Sequence, residues 1–234
     1  MTISFAISEW SGWQAAPSDD YSNESEGMTI SEIPDVAIIP PILRRRLNSL
    51  GRSCGSQILK HLANREIMPM VYCSQHGDIE RTTKSLNELT DNQPVSPINF
   101  SLSVHNAICG ILSVQTSLTS NISTIAAGQE ALVPVLLESA GILLSGAKKV
   151  LCVICDVTLP EIYQDKQSLP KIPYAISFII SKSEGVNLTL TQLPLHSEKQ
   201  KINQLPMQLI KFLSSDEIEL LINHNEETWK LARH

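Results

Sequence analysis

The sequence predicts an α/β layered domain, and three observations predict it. After its first residue the run Lys149–Cys155 is apolar throughout, as a central strand buried on both faces requires. Gln129–Leu144 is apolar nearly all round over a helical length, so it reads as a buried helix. Strand-like and helix-like segments alternate along the chain, the order that stacks helices against a sheet.

Each element has its own signal. Met1–Trp13 alternates and is rich in β-formers, which makes it an opening strand. Pro17–Gly27 is polar and acidic and reads as an exposed loop, the loop region running over 17–29. Leu43–Leu62 predicts an amphipathic helix with Leu47, Leu50, Cys54, Ile58 and Leu62 on one face. Met68–Cys73 is a short buried strand, and Ile79–Leu89 a polar-faced helix with Asp78 as its N-cap. A Pro-punctuated loop, Asn92–Pro97, precedes Ser101–Val114, where Leu102, His105, Cys109 and Leu112 fall at helical spacing. Leu118–Thr124 is a strand. Pro134 stands near the start of the Gln129–Leu144 helix, where a missing N–H is tolerated best. Ile172–Ile180 and Val186–Leu193 are strands, and Ser181–Gly185 between them reads as a hairpin turn. From Leu205 a short helix follows, with a last strand around Ile218–Ile222. There is no internal repeat, and 1–234 reads as a single domain.

Bulk properties exclude several classes. The 234 residues are 42% hydrophobic, enough for a sizeable core. The net charge of −6 gives no general basic field for nucleic acid. The first residues lack a basic n-region and Glu9 interrupts their apolar run, so no signal peptide is expected. No apolar run is long enough for a membrane span. Five scattered cysteines suit reduced thiols and a cytoplasmic location better than a disulfide framework. No HExxH, GxSxG, phosphate-loop or clustered metal-ligand spacing occurs, and neither metal nor cofactor is expected.

Five constellations carry possible chemistry. Cys152 and Cys155 form a C-x-x-C match inside an apolar strand. Residues three apart on a strand face opposite ways, so the pair reads as core rather than redox site or chelate. Cys73 and His76 close a strand end; a thiolate–imidazolium pair there would be reactive, but no third orienting group is evident. His105 with Asn106 reads as a helix-packing residue bonded to a neighbouring loop. The run Arg44, Arg45, Arg46 is either a solvated helix end, a partner for the acidic N-terminal segment, or a contact for an acidic carrier protein.

The fifth is the stretch N-I-S-T-I-A-A-G-Q-E-A (Asn121–Ala131), a strand–elbow–helix pattern of the kind that holds a nucleophile at a helix N-terminus. With S-V-H-N-A (Ser103–Ala107), C-S-Q-H-G-D (Cys73–Asp78), R-R-R-L-x-x-L-G-R (Arg44–Arg52), and L-L-S-G-A-K-K-V-L-C-V-I-C-D (Leu143–Asp156), it resembles the N-terminal half of β-ketoacyl synthases. It is most similar to the small ketosynthase-like chain length factors of aryl polyene clusters. The resemblance implies a partial thiolase-like layered fold, a mixed sheet with a buried central helix. Active members carry a Cys three residues before the elbow glycine. Here that count reaches Ile125, which has no lone pair and no proton to lose. The family's activating histidines come from a C-terminal half that this length does not accommodate. The resemblance therefore implies a non-catalytic subunit, heterodimeric with an active β-ketoacyl-acyl-carrier-protein synthase, in polyketide-like or fatty-acid-like assembly. The interface would run along Leu118, Thr119, Ser120, Asn121, Ile122, Ser123 and Thr124. Phe100, Val104, Ile108, Cys109 and Leu112, with Ile125, would close the acyl tunnel. The carrier protein's acyl chain would be held mainly by the partner. A stand-alone thiol enzyme using Cys73 with His76 or His105, and a homodimeric acyl-binding module, are the alternatives.

Overall fold

Thr2–Ala15 forms one long strand, β1, buried at Phe5–Ile7 and at Gly12–Trp13, and the rest of the molecule is arranged around it. The computed structural model describes residues 1–16, 26–62, 67–116, 118–128, 130–163, 172–194, 205–224 and 227–234. Most of the predicted 17–29 loop, and Gln129, lie outside them. The elements are β1, β2 (Met28–Ser31), α1 (Pro41–Arg44), α2 (Ser49–Leu62), β3 (Met70–Cys73), α3 (Ile79–Thr90), α4 (Pro97–Leu102) and α5 (Ala107–Thr116). There follow β4 (Ile122–Ile125), α6 (Leu132–Leu144), β5 (Lys149–Asp156), a short 3-10 turn, β6 (Tyr174–Ser181), β7 (Val186–Leu193), α7 (Leu205–Leu213), β8 (Glu219–His224) and β9 (Glu227–Arg233).

Among the described residues nine strands join one mixed sheet, in the order β4-β3-β5-β6-β1-β7-β9-β8, with β2 pairing parallel to β1. β4, β3 and β5 are parallel; β5/β6, β6/β1, β1/β7, β7/β9 and β8/β9 are antiparallel. Two apolar layers sandwich the sheet. One holds Val71, Cys73, Cys152, Ile154, Ile176 and Phe178 under α6 and α7. The other holds Met70, Tyr72, Leu151, Val153, Cys155 and Ile179 under α2 and α5. Successive residues of β3, β5 and β6 therefore point into different cores, which is why these strands are apolar without alternation.

Helix boundaries differ from the sequence reading where local caps intervene. The single helix expected over Leu43–Leu62 is two: Pro41 starts α1, and Asn48 starts α2 afresh by accepting the Gly51 amide at 3.1 Å. Leu50, Cys54 and Ile58 are buried as predicted. The helix expected over Ser101–Val114 is also two. Ser96 caps α4 with Pro97 in its first turn, and the chain leaves the helix over residues 103–106, where the Ser103 hydroxyl donates to the Phe100 carbonyl. β4 begins at Ile122, so Leu118–Asn121 precede the strand. α6 begins at Leu132, and its outer side, with Glu138 and Leu144, is exposed rather than buried all round.

Two connections differ from the sequence reading. β6 and β7 are not a hairpin: β1 lies between them, Ala6 pairing with Ser181 on one flank and Asn187 on the other. A short turn between two strands looks the same in sequence whether or not a third strand enters. The turn hugs β1 so closely that a Cβ at Gly185 (φ +110°) would lie 2.2 Å from the Ile7 carbonyl oxygen. The expected last strand is a hairpin of two, β8 and β9. Asp78 caps α3 as predicted, accepting the Arg81 amide at 3.1 Å.

Candidate functional site

The C-terminal ends of β3, β4 and β5 converge, and the predicted elbow leaves the sheet there. Among the described residues β4 pairs with β3 alone, so it is an outer strand of the sheet, as β8 is at the other end. The Asn121 carbonyl accepts the Met70 amide at 2.9 Å, and the Ile125 carbonyl accepts the Ser74 amide at 3.3 Å. Side chains alternate across the strand. The Ser123 hydroxyl reaches Glu138 of α6 at 2.8 Å, and Ile125 packs toward the same layer. Ile122 and Thr124 face α5 and line a cavity of about 430 Å³ with His105, Asn106, Cys109 and Gly110. Of the interface residues expected from sequence, Leu118, Thr119, Ser120 and Asn121 lie in the approach to the strand, where the Ser120 hydroxyl donates to the Met68 carbonyl.

The elbow itself is longer than the sequence suggested. Ile125 is the last residue of β4 and is half-buried, while the helix cap is Ala131. Ala126, Ala127 and Gly128 (φ +69°) turn the chain between them. Ile125 thus sits at the strand end and not at the mouth of α6.

Cys73 ends β3, fully buried, and the nearby Ala127 amide opposes the effect of that burial on its thiol. Burial pushes its thiol up to about 12, so it is neutral near pH 7. Burial, with help from His105, lowers the acidity range of the His76 ring, whose Nε2 has no hydrogen-bond partner. His105 is committed elsewhere: its Nε2 lies 2.6 Å from the Ser74 carbonyl oxygen. The three side chains do not assemble a thiolate–imidazolium pair. The predicted loop contact of His105 is present, but from the break between α4 and α5 and not from a helix.

Asp156, not among the residues expected from sequence, is the polar hub here. It ends β5, where its Oδ1 accepts the Ser74 hydroxyl at 2.9 Å and the Gln75 amide at 2.8 Å, and its Oδ2 accepts the Tyr174 hydroxyl at 3.2 Å. Burial raises its carboxyl to about 6 against the opposing pull of these donors. A carboxylate closing an otherwise apolar strand was the available signal.

The five tunnel residues do not share one surface. Phe100 is 64% and Val104 48% exposed, whereas Ile108, Cys109 and Leu112 are buried under α2. Arg44 is half-buried and donates to the Ile39 carbonyl at 2.9 Å. Arg45 and Arg46 are exposed, and Arg46 borders an apolar groove of about 440 Å³ with Ile42, Leu102, Ile111 and Val114. Cys152 and Cys155 face opposite layers, as read from sequence. No cluster of three His, Cys, Asp or Glu among the described residues is arranged to hold a metal ion. No helix among them is long and apolar enough to cross a membrane.

Known structures share this layered, thiolase-like arrangement. The chain is similar to one in the complex of a ketosynthase (ApeO) with its chain length factor (ApeC) from Xenorhabdus doucetiae. The identity is 22%, the TM-score 0.81, and the match covers 99% of this chain and 100% of that one. It is also similar to the ishigamide ketosynthase/chain length factor, at 14% identity and TM-score 0.55, over 68% of this chain and 53% of that one. No curated protein matches the chain. The family profile described as beta-ketoacyl synthase, N-terminal domain, matches residues 10–231. With that profile running over nearly its whole length, the chain belongs to the β-ketoacyl synthase N-terminal domain family.

Proposed function

We propose that the protein is a non-catalytic chain length factor, a cytoplasmic single-domain subunit that pairs with an active β-ketoacyl-acyl-carrier-protein synthase. The observation that carries this reading is β4: the strand leading into the elbow is an outer strand of the sheet, its other edge open among the described residues. An open edge invites a strand from another chain, and pairing removes an aggregation liability. Similarity over full length to a chain of a ketosynthase–chain length factor complex supports the same reading.

Absence of chemistry in this chain is part of the proposal. No cysteine occurs between Cys109 and Cys152, so the elbow offers no thiol, and Ile125 holds the counted position. All five cysteines are buried. The partner then supplies nucleophile and bases, and this subunit supplies shape: exposed Phe100 and Val104 face the partner's acyl tunnel, and the Ile122–Thr124 cavity borders the same edge. A filled tunnel end rejects each further methylene by overlap. Arg45 and Arg46 are available to an acidic carrier protein. An aryl polyene product fits the ketosynthase resemblance.

The test is co-expression with candidate ketosynthases, scored by co-purification and by product length. Elution as a lone monomer that changes neither the partner's yield nor its product rejects the reading. A stable homodimer of the purified chain favours an acyl-binding module instead.

A further inference from the structure

The loop Ser74–Asp78 and the break between α4 and α5 are joined by one unusual contact. The His105 ring approaches Gly77 so closely that a Cβ there would lie 2.6 Å from Nδ1 and 2.9 Å from Cε1. Gly77 has φ +58°, which also favours glycine. On the far side of the ring's bond, Nε2 donates to the Ser74 carbonyl at 2.6 Å. Because a carbonyl only accepts, this fixes the ring's proton on Nε2. Ser74 is itself immobilised. Its hydroxyl donates to Asp156 Oδ1 at 2.9 Å and accepts the Gly77 amide at 2.9 Å. Asp156 is anchored a second time by Tyr174. A buried carboxylate at the end of the central strand thus reaches, through two hydrogen bonds, the one histidine standing in the α4–α5 break.

What that break carries gives the chain of bonds a purpose. Phe100 lies on α4 and Val104 in the break, both exposed, and His105 itself borders the cavity against Ile122 and Thr124. α4 has only six residues and α5 ten, too short to hold their mutual angle by helix stability alone. We infer that His105 is a positioning residue: clamped between Ser74 and Gly77 and referenced to Asp156, it fixes the α4–α5 corner that presents Phe100 and Val104. The consequence for product length rests on the chain length factor reading. The consequence for the corner's rigidity does not.

Three variants of the full chain test it: His105→Leu, which removes the donor; His105→Gln, which restores an N–H; and Gly77→Ala, which expels the ring and leaves His105 unchanged. Amide hydrogen exchange of the isolated chain is followed in 97–116 and in 149–156. Losing a hydrogen bond of this kind predicts roughly tenfold faster exchange in 97–116 for His105→Leu and Gly77→Ala. Exchange in 149–156 stays unchanged, and His105→Gln stays near wild type. Co-expressed with the ketosynthase that wild type co-purifies with, the first two variants broaden the product-length distribution and His105→Gln does not. Unchanged exchange in 97–116, an equal rise in 149–156, or failure of Gln to rescue overturns the inference. A wild-type chain that alters no ketosynthase's products removes the functional reading, and exchange still decides the role of His105.

Discussion

Cys152 and Cys155, three residues apart on β5, face opposite cores: Cys152 Sγ lies 3.0 Å from the Ser139 hydroxyl of α6, and Cys155 Sγ 3.6 Å from the Tyr72 hydroxyl. A strand's two-residue period dictates this separation, and it bars a shared metal or a mutual disulfide without breaking the strand.

The thiols should accordingly be inert in the folded protein. All five are buried, and burial pushes Cys73 and Cys152 up to about 12 and Cys54 and Cys109 upward as well. Iodoacetamide at pH 7.5 should label none within minutes, and all five after denaturation, as read by intact mass. A rapidly labelled Cys73 in the native chain would revive a thiol-enzyme reading.

Asp156 gives a defined pH dependence. Its folded carboxyl is raised by burial to about 6 from an ordinary 3.8, so the folded state binds the proton more tightly than the unfolded chain. That contribution to stability is complete below about pH 4 and is lost as pH rises through 6, amounting to about 3 kcal/mol. Asp156→Asn removes it. Urea unfolding at pH 4.5 and 7 should show the variant gaining on wild type as pH rises. Measuring the difference cancels the opposite slope of His61, which burial lowers to about 4.

Phe100 and Ile108 should separate function from stability. Phe100→Ala, on an exposed side chain, should change stability by no more than about 0.5 kcal/mol yet alter the length made by a partner ketosynthase. Ile108→Ala empties a buried site and should cost about 2–5 kcal/mol by denaturant titration. Equal effects of the two on product length would argue against a tunnel role for the exposed corner.

Thr124→Lys places a charge beside the open edge of β4. Its side chain borders a cavity, so folding should survive while association with a ketosynthase weakens by roughly tenfold or more, measured by calorimetry. Undiminished association would move the interface elsewhere.

Gly185→Ala should destabilise the chain by about 2 kcal/mol or more, because the added Cβ meets the Ile7 carbonyl in a backbone region reserved for glycine. Thermal unfolding checks it, with a replacement at open, exposed Gly141 as the mild comparison.

Much of the fold was legible because buried strands and capped helices leave local marks. The apolar run at β5, the Asp78 cap of α3 and the opposed faces of Cys152 and Cys155 all follow from spacing within a few residues. The α4–α5 break was hidden, because the helical spacing of Leu102, His105, Cys109 and Leu112 continues across it. What interrupts the helix is a set of serine–backbone bonds and a histidine drawn to Ser74, a residue some thirty positions away. The proposed functional surface was half visible. The elbow's lack of a thiol is written in the chain, but whether Phe100 or Ile108 meets solvent depends on which side α2 covers.

Local pattern alone therefore determined the layered α/β class, the central apolar strand and an elbow without a cysteine, since each is set by neighbours one to four residues apart. Tertiary structure decided that β1 separates β6 from β7, that β4 is left at the edge, and that Asp156, Ser74 and His105 form one line. Those outcomes rest on pairings between residues far apart in sequence, whose free energy is set by which surfaces meet and not by the residues taken singly.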